Sequence, residues 1–235
     1  MSRENSVSII IPAKNESVNI TKVALRIQRL VKCNFECLVV VDSFDDSTCG
    51  SMKEISNDDD RFKVVLNQKG STPALAIRSG IESSIYDTII VTMADGSDDP
   101  SIINDLAELI NRGVVIAAAS RYMAGGQQVG VSGLKPILSR CAGLTLYYLA
   151  RVGTHDATNS FKAYDKNFID KVGLESVYGF EIALELTAKA RRLRLPVAEI
   201  PTIWIERHFG SSNFKLMKWI PKYLKWYFYA FGKKK

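Results

Sequence analysis

A group of carboxylates directly follows an apolar run in the middle of the sequence. Residues 89–91 are apolar, and Asp95, Asp98 and Asp99 come within a few positions of them. Such a run before a turn is typical of a buried strand, and α/β folds bind ligands at the carboxyl ends of parallel strands. If the ligand is a nucleotide, these carboxylates would repel its phosphates unless a cation lay between them. Oxygen ligands suit Mg²⁺ or Mn²⁺, so we expect a metal and phosphate site with Asp95 as a ligand.

The end of the same segment has a second interpretation. Pro100 is favoured at the first position of a helix, and an Asp before it is a common N-cap. Asp98 or Asp99 could therefore begin a helix. For Asp99 the two roles stay open, whereas for Asp95 we expect the ligand role.

Alternating strands and helices would position this edge. Apolar, β-type runs occur over 7–12, 35–41, 62–66, up to about 93, and over 114–119; helical spacing occurs over 18–31, 73–84 and from 100. This rhythm predicts an α/β fold with a parallel sheet. The second half contains a glycine-rich loop over 124–133, a helix over 136–152, a short strand over 160–164, a helix over 179–192 and a strand over 197–205.

Two common nucleotide-binding motifs are absent from the sequence. The turn after the first strand, residues 12–16, lacks the Gly-x-Gly-x-x-Gly pattern of dinucleotide sites. No Gly-Lys-Ser or Gly-Lys-Thr follows a glycine loop, which excludes a Walker site. We expect neither NAD nor nucleic acid as a ligand, and a nucleotide would have to be held in another way.

The chain has 235 residues, of which 46% are hydrophobic, and no Ser/Gly-rich linker divides it. We predict one domain over 1–214 and a basic, aromatic tail over 215–235. The four cysteines lack the spacing of a zinc site and are expected to be reduced: Cys33, Cys37, Cys49 and Cys141.

The tail carries much of the formal net charge of +6. Basic and apolar residues occupy complementary faces of one predicted helix: Lys215, Lys218, Lys222 and Lys225 on one side, and Leu216, Trp219, Ile220, Tyr223, Leu224, Tyr227, Phe228 and Phe231 on the other. This pattern predicts an amphipathic helix on a membrane surface, where the lysines at 233–235 would meet anionic lipid. The alternative is a helix docked on the protein's own core. Pro221 would kink this helix or begin it anew.

No signal-peptide core and no run of 18 apolar residues occurs in the sequence. We therefore expect the protein in the cytoplasm or on the cytoplasmic face of a membrane. A membrane partner subunit is a further candidate for anchoring.

Eight short segments, in their order and spacing, resemble the successive motifs of family 2 glycosyltransferases. Four of them are residues 10–16, 39–42, 67–70 and 93–100; the later four, residues 120–122, 138–140, 156–162 and 207–213, are similar to the dolichol-phosphate mannosyltransferase branch. The resemblance implies the GT-A fold, which has a mostly parallel central sheet, and a nucleotide-sugar donor. It also implies a site for each substrate.

For the donor, the resemblance implies a nucleoside pocket formed by Pro12, Asn15, Glu16 and Asp42. A carboxylate there can accept hydrogen bonds from base or ribose groups. Asn15 and Glu16 are equally well explained as a helix N-cap and its first turn. The loop over 42–48 is one residue shorter than usual in the family and begins with one Asp where relatives often have two, so the resemblance does not predict the base.

For the metal, the family's Asp-x-Asp motif falls on Met93, Ala94 and Asp95, so its first carboxylate is missing. Asp95 would then bind Mg²⁺ or Mn²⁺ with help from Ser97 or Asp98. If nothing compensates for Met93, the chain would be a non-catalytic relative that binds nucleotides.

For the acceptor, the resemblance implies a phosphate site formed by Arg121, Lys135 and Ser139, with Arg207 closing on the phosphate. A guanidinium binds two phosphate oxygens at once; a plain surface cation is the alternative for each basic residue. Asn213 stands where the branch has a lysine, and Lys215 is a candidate substitute.

These assignments predict an inverting glycosyltransferase in which Asp95, Arg121 and Arg207 are the catalytic residues. It would move a hexose from a nucleoside-diphosphate sugar to a polyprenyl phosphate, such as dolichyl or undecaprenyl phosphate. The alternative is transfer to a sugar hydroxyl, which needs a general base. Asp156 is expected to have a structural role, and Glu181 and Glu185 could form a solvated helix face or approach the acceptor.

Overall fold

Seven strands of the chain form one twisted sheet, and two more form a small ribbon. The computed structural model describes residues 6–131, 133–206 and 216–233. The strands are β1 (Ser6–Pro12), β2 (Asn34–Val41), β3 (Phe62–Leu66), β4 (Thr88–Val91), β5 (Ile116–Ser120), β6 (Gln127–Val129), β7 (Lys162–Asp165), β8 (Val197–Pro201) and β9 (Ile203–Ile205).

Eight α-helices connect or cover these strands in the described part of the chain. They are α1 (Ser17–Leu30), α2 (Ser47–Asp58), α3 (Pro73–Ser83), α4 (Ile103–Asn111), α5 (Leu134–Thr145), α6 (Lys166–Val172), α7 (Glu181–Arg192) and α8 (Leu216–Phe231). A 3₁₀ turn (Pro100–Ile102) precedes α4, and α5 continues into a π-helical turn (Leu146–Ala150).

The large sheet has the order β3-β2-β1-β4-β7-β5-β8. Only β7 runs antiparallel to its neighbours β4 and β5; the other pairs are parallel. The predicted α/β class with a mostly parallel sheet is confirmed. The parallel strands β1, β2, β4 and β5 therefore end at one edge, and the loops that follow them share that edge.

The two faces of the sheet bury separate apolar clusters. Ile9 and Ile11 point to the face covered by α1 and α4, whereas Ile10 points to the face covered by α3 and α7, since side chains alternate along a strand. Burying one such side chain stabilises the fold by about 1.5–3 kcal/mol. At Gly80 on α3, an added Cβ would lie 2.5 Å from Ile10 Cγ2, so glycine permits close packing on β1.

A third apolar cluster joins α7, α8 and the π-helical turn. Trp226 and Ala230 of α8 are buried in it, and Pro221 lies within a helix that continues to Phe231. One face of α8 is thus docked on the protein's own core, which is the alternative to a helix that lies only on a membrane surface. In the described residues, no helix has the length and apolar character needed to cross a bilayer.

The segment predicted as one strand over 197–205 is two strands. Pairing changes at Thr202, whose N–H donates to the Ser120 carbonyl and whose carbonyl accepts from Gln127 N–H. β8 then stays in the large sheet, while β9 pairs with β6 from the glycine-rich loop. This ribbon reaches the acidic loop, because Ile205 N–H donates to the Ser97 carbonyl.

Candidate active site

The acidic loop after β4 folds around its own carboxylates. Asp95 Oδ1 accepts hydrogen bonds from Ser97 N (3.0 Å) and Ser97 Oγ (2.6 Å). Gly96 has φ +75°, a conformation that favours glycine, and this permits the tight turn between them. Ser97 therefore orients Asp95, which is half-buried at the carboxyl edge of the sheet.

Asp98 is a buried carboxylate with one unsatisfied oxygen. Its Oδ2 accepts from Thr92 Oγ1 (2.9 Å) and Met93 N (3.0 Å), but Oδ1 has no hydrogen-bond partner among the described residues. Burial, and then the charge of Asp95, raise the pKa of Asp98 to about 7. A buried, unpartnered oxygen beside a second carboxylate is the donor set that a hard divalent cation would neutralise.

Asp95 and Asp98 alone supply too few ligands for a complete metal site. Within the described ranges, no group of three or more His, Cys, Asp or Glu residues is arranged to hold a metal ion. Asp95 and Asp98 fit a cation whose remaining ligands come from Ser97, water or a diphosphate. Asp99 instead caps the 3₁₀ turn by accepting from Ser101 N (3.1 Å), so its structural role is the one observed.

The turn after β1 is clamped to the start of α2. Asn15 lies in the left-handed region (φ 56°), and its N–H donates to both carboxylate oxygens of Asp46 at 3.0 Å. Glu16 N donates to Thr48 Oγ1 (3.0 Å). Asp46 is also the N-cap of α2. Glu16, not Asn15, occupies the N-cap position of α1, and its side chain makes no capping hydrogen bond, so the prediction of an N-cap at Asn15 with Glu16 in the first turn is wrong.

Asp42, just after β2, is held from both sides. Its Oδ1 accepts from Asn67 Nδ2 (3.0 Å) and its Oδ2 pairs with Lys14 Nζ (3.2 Å). Pro12 ends β1, the strand next to β2. The structure therefore gathers Pro12, Asn15, Glu16 and Asp42 at the ends of two adjacent strands, where the resemblance predicts the nucleoside.

Arg121 follows β5 and makes a buried ion pair with Asp156. Its Nε and Nη2 donate to the two oxygens of Asp156 at 2.6 and 2.8 Å, and its backbone N donates to the same carboxylate at 3.0 Å. Burial alone would lower the pKa of Arg121, but the charge of Asp156 and the hydrogen bonds to it raise that pKa well above its usual range. Arg121 is thus fixed as a cation.

Further contacts connect Arg121 to the predicted acceptor site. Arg121 Nη2 lies 3.4 Å from Ser139 Oγ, and Ser139 Oγ lies 2.8 Å from Thr158 Oγ1. The charge of Arg121 also lowers the pKa of Asp98, in opposition to burial, so the acidic loop and the guanidinium interact electrostatically. The structure therefore brings Arg121, Ser139 and the acidic loop to one edge.

Lys162 lies beneath this ion pair and is fully buried. Its Nζ donates to the carbonyls of Asp156 (3.2 Å), Ala157 (3.1 Å) and Asn159. Three carbonyl acceptors match the three donors of an ammonium group. Burial nevertheless lowers the pKa of Lys162 to about 7, with the charge of Asp156 opposing. Lys162 fixes the turn that carries Asp156 and Thr158.

Some predicted residues do not join this site. Arg207, Asn213 and Lys215 lie outside the described residues, as does the side chain of Lys135, whose backbone lies in the first turn of α5. Glu181 accepts from Tyr178 N and Gly179 N. Glu185 accepts from Glu175 N and Ser176 N and pairs with Lys189. Both glutamates are buried, so neither forms a solvated face.

Sequence reasoning missed several residues that build the site. Asp46, Thr48, Asn67 and Lys162 are not among the residues predicted for it. Asp156 has the structural role expected of it, since its buried carboxylate holds Arg121. The sequence carries one signal for them: an Asp-x-Thr motif occurs after β2, at residues 46–48, and again before β7, at residues 156–158. In both places the Asp anchors a predicted site residue, Asn15 or Arg121.

Comparisons with known proteins agree with this architecture. The model of glycosyl transferase family 2 matches residues 8–173. Polyprenol monophosphomannose synthase of Mycolicibacterium smegmatis is 28% identical over 211 residues, which cover 87% of this chain and 79% of that protein. Dolichol-phosphate mannosyltransferase of Pyrococcus furiosus is 28% identical over 233 residues, 94% of this chain but 64% of that protein, slightly under two thirds.

Solved structures share the fold as well. Glucosyl-3-phosphoglycerate synthase of Mycobacterium tuberculosis, crystallised with Mn²⁺, uridine diphosphate and glucosyl-3-phosphoglycerate, superimposes with a TM-score of 0.71 at 15% identity. The match covers 98% of this chain and 81% of that one. At this identity the similarity concerns the fold alone.

Proposed function

We infer the function from one premise: the chain belongs to glycosyl transferase family 2. We propose that it transfers a hexose, with inversion, from a nucleoside-diphosphate sugar to a polyprenyl monophosphate. The names of the two curated relatives, a polyprenol monophosphomannose synthase and a dolichol-phosphate mannosyltransferase, support this acceptor class. The sugar and the base of the donor are left open.

The single observation that carries the proposal is the fixed guanidinium of Arg121. Asp156 holds its Nε and Nη2, and among the described residues no partner of Nη1 is found. The side chain is 11% exposed, so part of it stays accessible at the sheet edge. A guanidinium immobilised in this way offers its remaining donors to a phosphate without losing rotamer freedom on binding. Ser139 adds a hydroxyl beside it.

Transfer to a phosphate requires no general base. A phosphate monoester is already largely dianionic at neutral pH and can attack the anomeric carbon itself. Transfer to a sugar hydroxyl would require a positioned base. The two buried glutamates of α7 are already bonded to backbone N–H groups. The chemistry of the site therefore favours the phosphate acceptor.

Asp95, Ser97 and Asp98 would hold Mg²⁺ or Mn²⁺ at the donor side. Bound there, the cation would neutralise the charge of the leaving diphosphate. The unsatisfied oxygen of Asp98 supports this assignment. Met93 removes one carboxylate from the family motif, and Asp98 is our candidate for its replacement. Arg207 stays the predicted closing residue on the acceptor phosphate, and Lys135 a predicted contact.

We also propose that two helices place the enzyme on the cytoplasmic face of a membrane. On α8, Leu224, Phe228 and Phe231 are exposed although the opposite face is docked. The segment 134–150 exposes a second apolar row: Leu134, Ile137, Leu138, Tyr148 and Leu149. Tyr227 Oη donates to Thr145 Oγ1 (2.9 Å), which joins the two helices side by side. We call these exposed residues the apolar face; its composition suits the boundary between headgroups and acyl chains.

A screen of nucleotide sugars tests the proposal. Each donor is incubated with short-chain polyprenyl phosphate and Mg²⁺ or Mn²⁺, and product mass is measured, with free glycans as parallel acceptors. We expect one donor to give a polyprenyl-phosphate hexose. Transfer to glycans alone would favour the hydroxyl acceptor, and nucleotide binding without transfer to any acceptor would identify a non-catalytic relative.

A further inference from the structure

A small cavity lies at the far end of the two membrane-facing helices. It has a volume of about 190 Å³ and is lined by Arg151, Val152, Gly153, Arg191, Arg194, Leu195 and Val197. Three of its seven lining residues are arginines and none is acidic. A volume below the roughly 300–1,000 Å³ of common small-molecule sites suits one headgroup rather than a nucleotide sugar.

This cavity is separate from the candidate active site. Val197 pairs with Ile116 at the start of β5, whereas Arg121 follows the end of that strand. Five strand residues at about 3.3 Å each put roughly 16 Å between the two ends. A phosphate in the cavity is therefore not the acceptor phosphate at Arg121.

Among the described residues, no side chain pairs with Arg151 or Arg194. Both are exposed, and neither makes an ion pair or side-chain hydrogen bond within the described ranges. Both also lie in the left-handed region, with φ 58° and 57°, just after a helix ends. Glycine is favoured at such positions. A cation near a helix end is favourable, but that gain is smaller than the strain of a non-glycine residue in this conformation.

Arg191 ties the cavity to both helices of the apolar face. Its Nε donates to the Ala150 carbonyl (2.7 Å) and its Nη1 to the Gly232 carbonyl (2.6 Å). Ala150 follows the exposed Tyr148 and Leu149, and Gly232 follows the exposed Phe231. The cavity thus lies where the apolar face ends, and on a bilayer its arginines would be placed at headgroup level.

We propose that this cavity binds the phosphate headgroup of an anionic phospholipid. The inference rests on the proposed membrane docking of the apolar face. Guanidinium groups bind phosphate oxygens in pairs. Continuity with the apolar face selects a bilayer lipid over free phosphate as the source. The lipid would fix the orientation of the two helices on the membrane.

Vesicle partitioning tests the proposal without any activity measurement. Wild type and the double variant Arg151→Gly/Arg194→Gly are sedimented with phosphatidylcholine vesicles, alone or mixed with phosphatidylglycerol. Glycine relieves the left-handed strain, so the variant should keep its Tm. We expect phosphatidylglycerol to strengthen vesicle binding of the wild type. On the mixed vesicles, the partition coefficient of the variant should be about thirtyfold lower than that of the wild type, which is the effect of two basic residues at a surface.

Two further variants separate recognition from general charge. Arg29→Gln/Lys53→Gln removes two exposed cations from α1 and α2, far from α8, and should keep most of the gain. Arg151→Lys/Arg194→Lys keeps the charge without the guanidinium fork and should bind less tightly than wild type. Equal losses in the Gly and Gln variants would overturn the proposal.

The remaining outcomes distinguish this inference from the proposed function. Binding of wild type to neutral vesicles with no gain from phosphatidylglycerol would refute the headgroup site and leave the apolar face standing. Binding to neither vesicle would refute both. Inorganic phosphate that binds in calorimetry at Arg151 and Arg194, with unchanged partitioning of the Gly variant, would assign the cavity to free phosphate and reject the lipid.

Discussion

Two buried charges at the same sheet edge are balanced in opposite ways. Asp156 balances the charge of Arg121 and holds it at two side-chain nitrogens, while one oxygen of Asp98 has no hydrogen-bond partner in the part of the chain that the structure describes. The cation of the proposed acceptor side thus has its counter-charge within the protein and keeps donors for a phosphate, whereas the carboxylate of the proposed donor side lacks a counter-charge. A buried polar group without a hydrogen-bond partner lowers the stability of a fold by about 1–3 kcal/mol, and a charged group lowers it more. The fold tolerates that cost where a cation would remove it.

Removing Asp95 should have the largest effect, because the donor side depends on few carboxylates. We expect Asp95→Ala to lower kcat at least about a hundredfold, as the leaving diphosphate would lose its counter-charge. Mn²⁺ should raise the Tm of wild type and leave that of Asp95→Ala unchanged. Asp99→Ala on the same loop is the control, since Asp99 caps a turn. Full turnover in Asp95→Ala would remove the assignment.

Removing Arg121 should damage the acceptor side more than the donor side. Arg121→Ala should lower kcat/KM for the lipid phosphate by about tenfold to a hundredfold, with donor affinity changed little. It also leaves Asp156 buried and unpaired, which costs about 3–5 kcal/mol. Arg121→Lys keeps the charge and tests the fork alone. The measurements are a KM for each substrate and a urea melt; equal losses for both substrates would contradict the separation of the two sides.

Lys162 offers a subtler way to disturb the proposed acceptor side, since its side chain is fully buried and bonds the turn that carries Asp156. Lys162→Met removes the ammonium donor that three buried carbonyls share and should cost about 1–3 kcal/mol of stability. By loosening the turn that carries Asp156, it should lower kcat/KM for the acceptor several-fold and spare donor binding. Lys166→Met is the matched control, because Lys166 also bonds a carbonyl, that of Ser84, away from the site. An unchanged acceptor KM would restrict Lys162 to folding.

The pH dependence of stability should reveal the same residue. The pKa of Lys162 is lowered to about 7 in the folded protein from an ordinary value of 10.5. Between these values the unfolded chain binds more protons, so stability should rise with pH. Wild type should gain stability from pH 7 towards 10 relative to Lys162→Met. Parallel stability curves for the two proteins in this range would show that the ammonium stays charged.

The difference between the two sides also explains what the sequence could predict. The strands, and hence the shared edge, follow from runs of buried residues such as those around Ile10 and Val40, whose pattern is local. Helix α2 buries only Thr48 and Met52, so its periodicity is weak and it was missed. The partners of the site residues are not local either: Asp156 lies 35 positions from Arg121. Spacing along a chain does not encode such pairs.

The smallest expected effect concerns Phe44, in the loop after Asp42. Its side chain is 66% exposed beside the predicted nucleoside pocket, an unusual place for a large aromatic ring. A ring there can stack on the base of the donor, and such stacking is worth about 1–3 kcal/mol where measured. We expect Phe44→Ala to raise the donor KM several-fold without changing Tm or acceptor KM, and Phe44→Tyr to behave as wild type. Because Phe44 is exposed, its removal should not disturb the core. A rise in acceptor KM alone would place the donor base elsewhere and would contradict the assignment of this loop to the donor side.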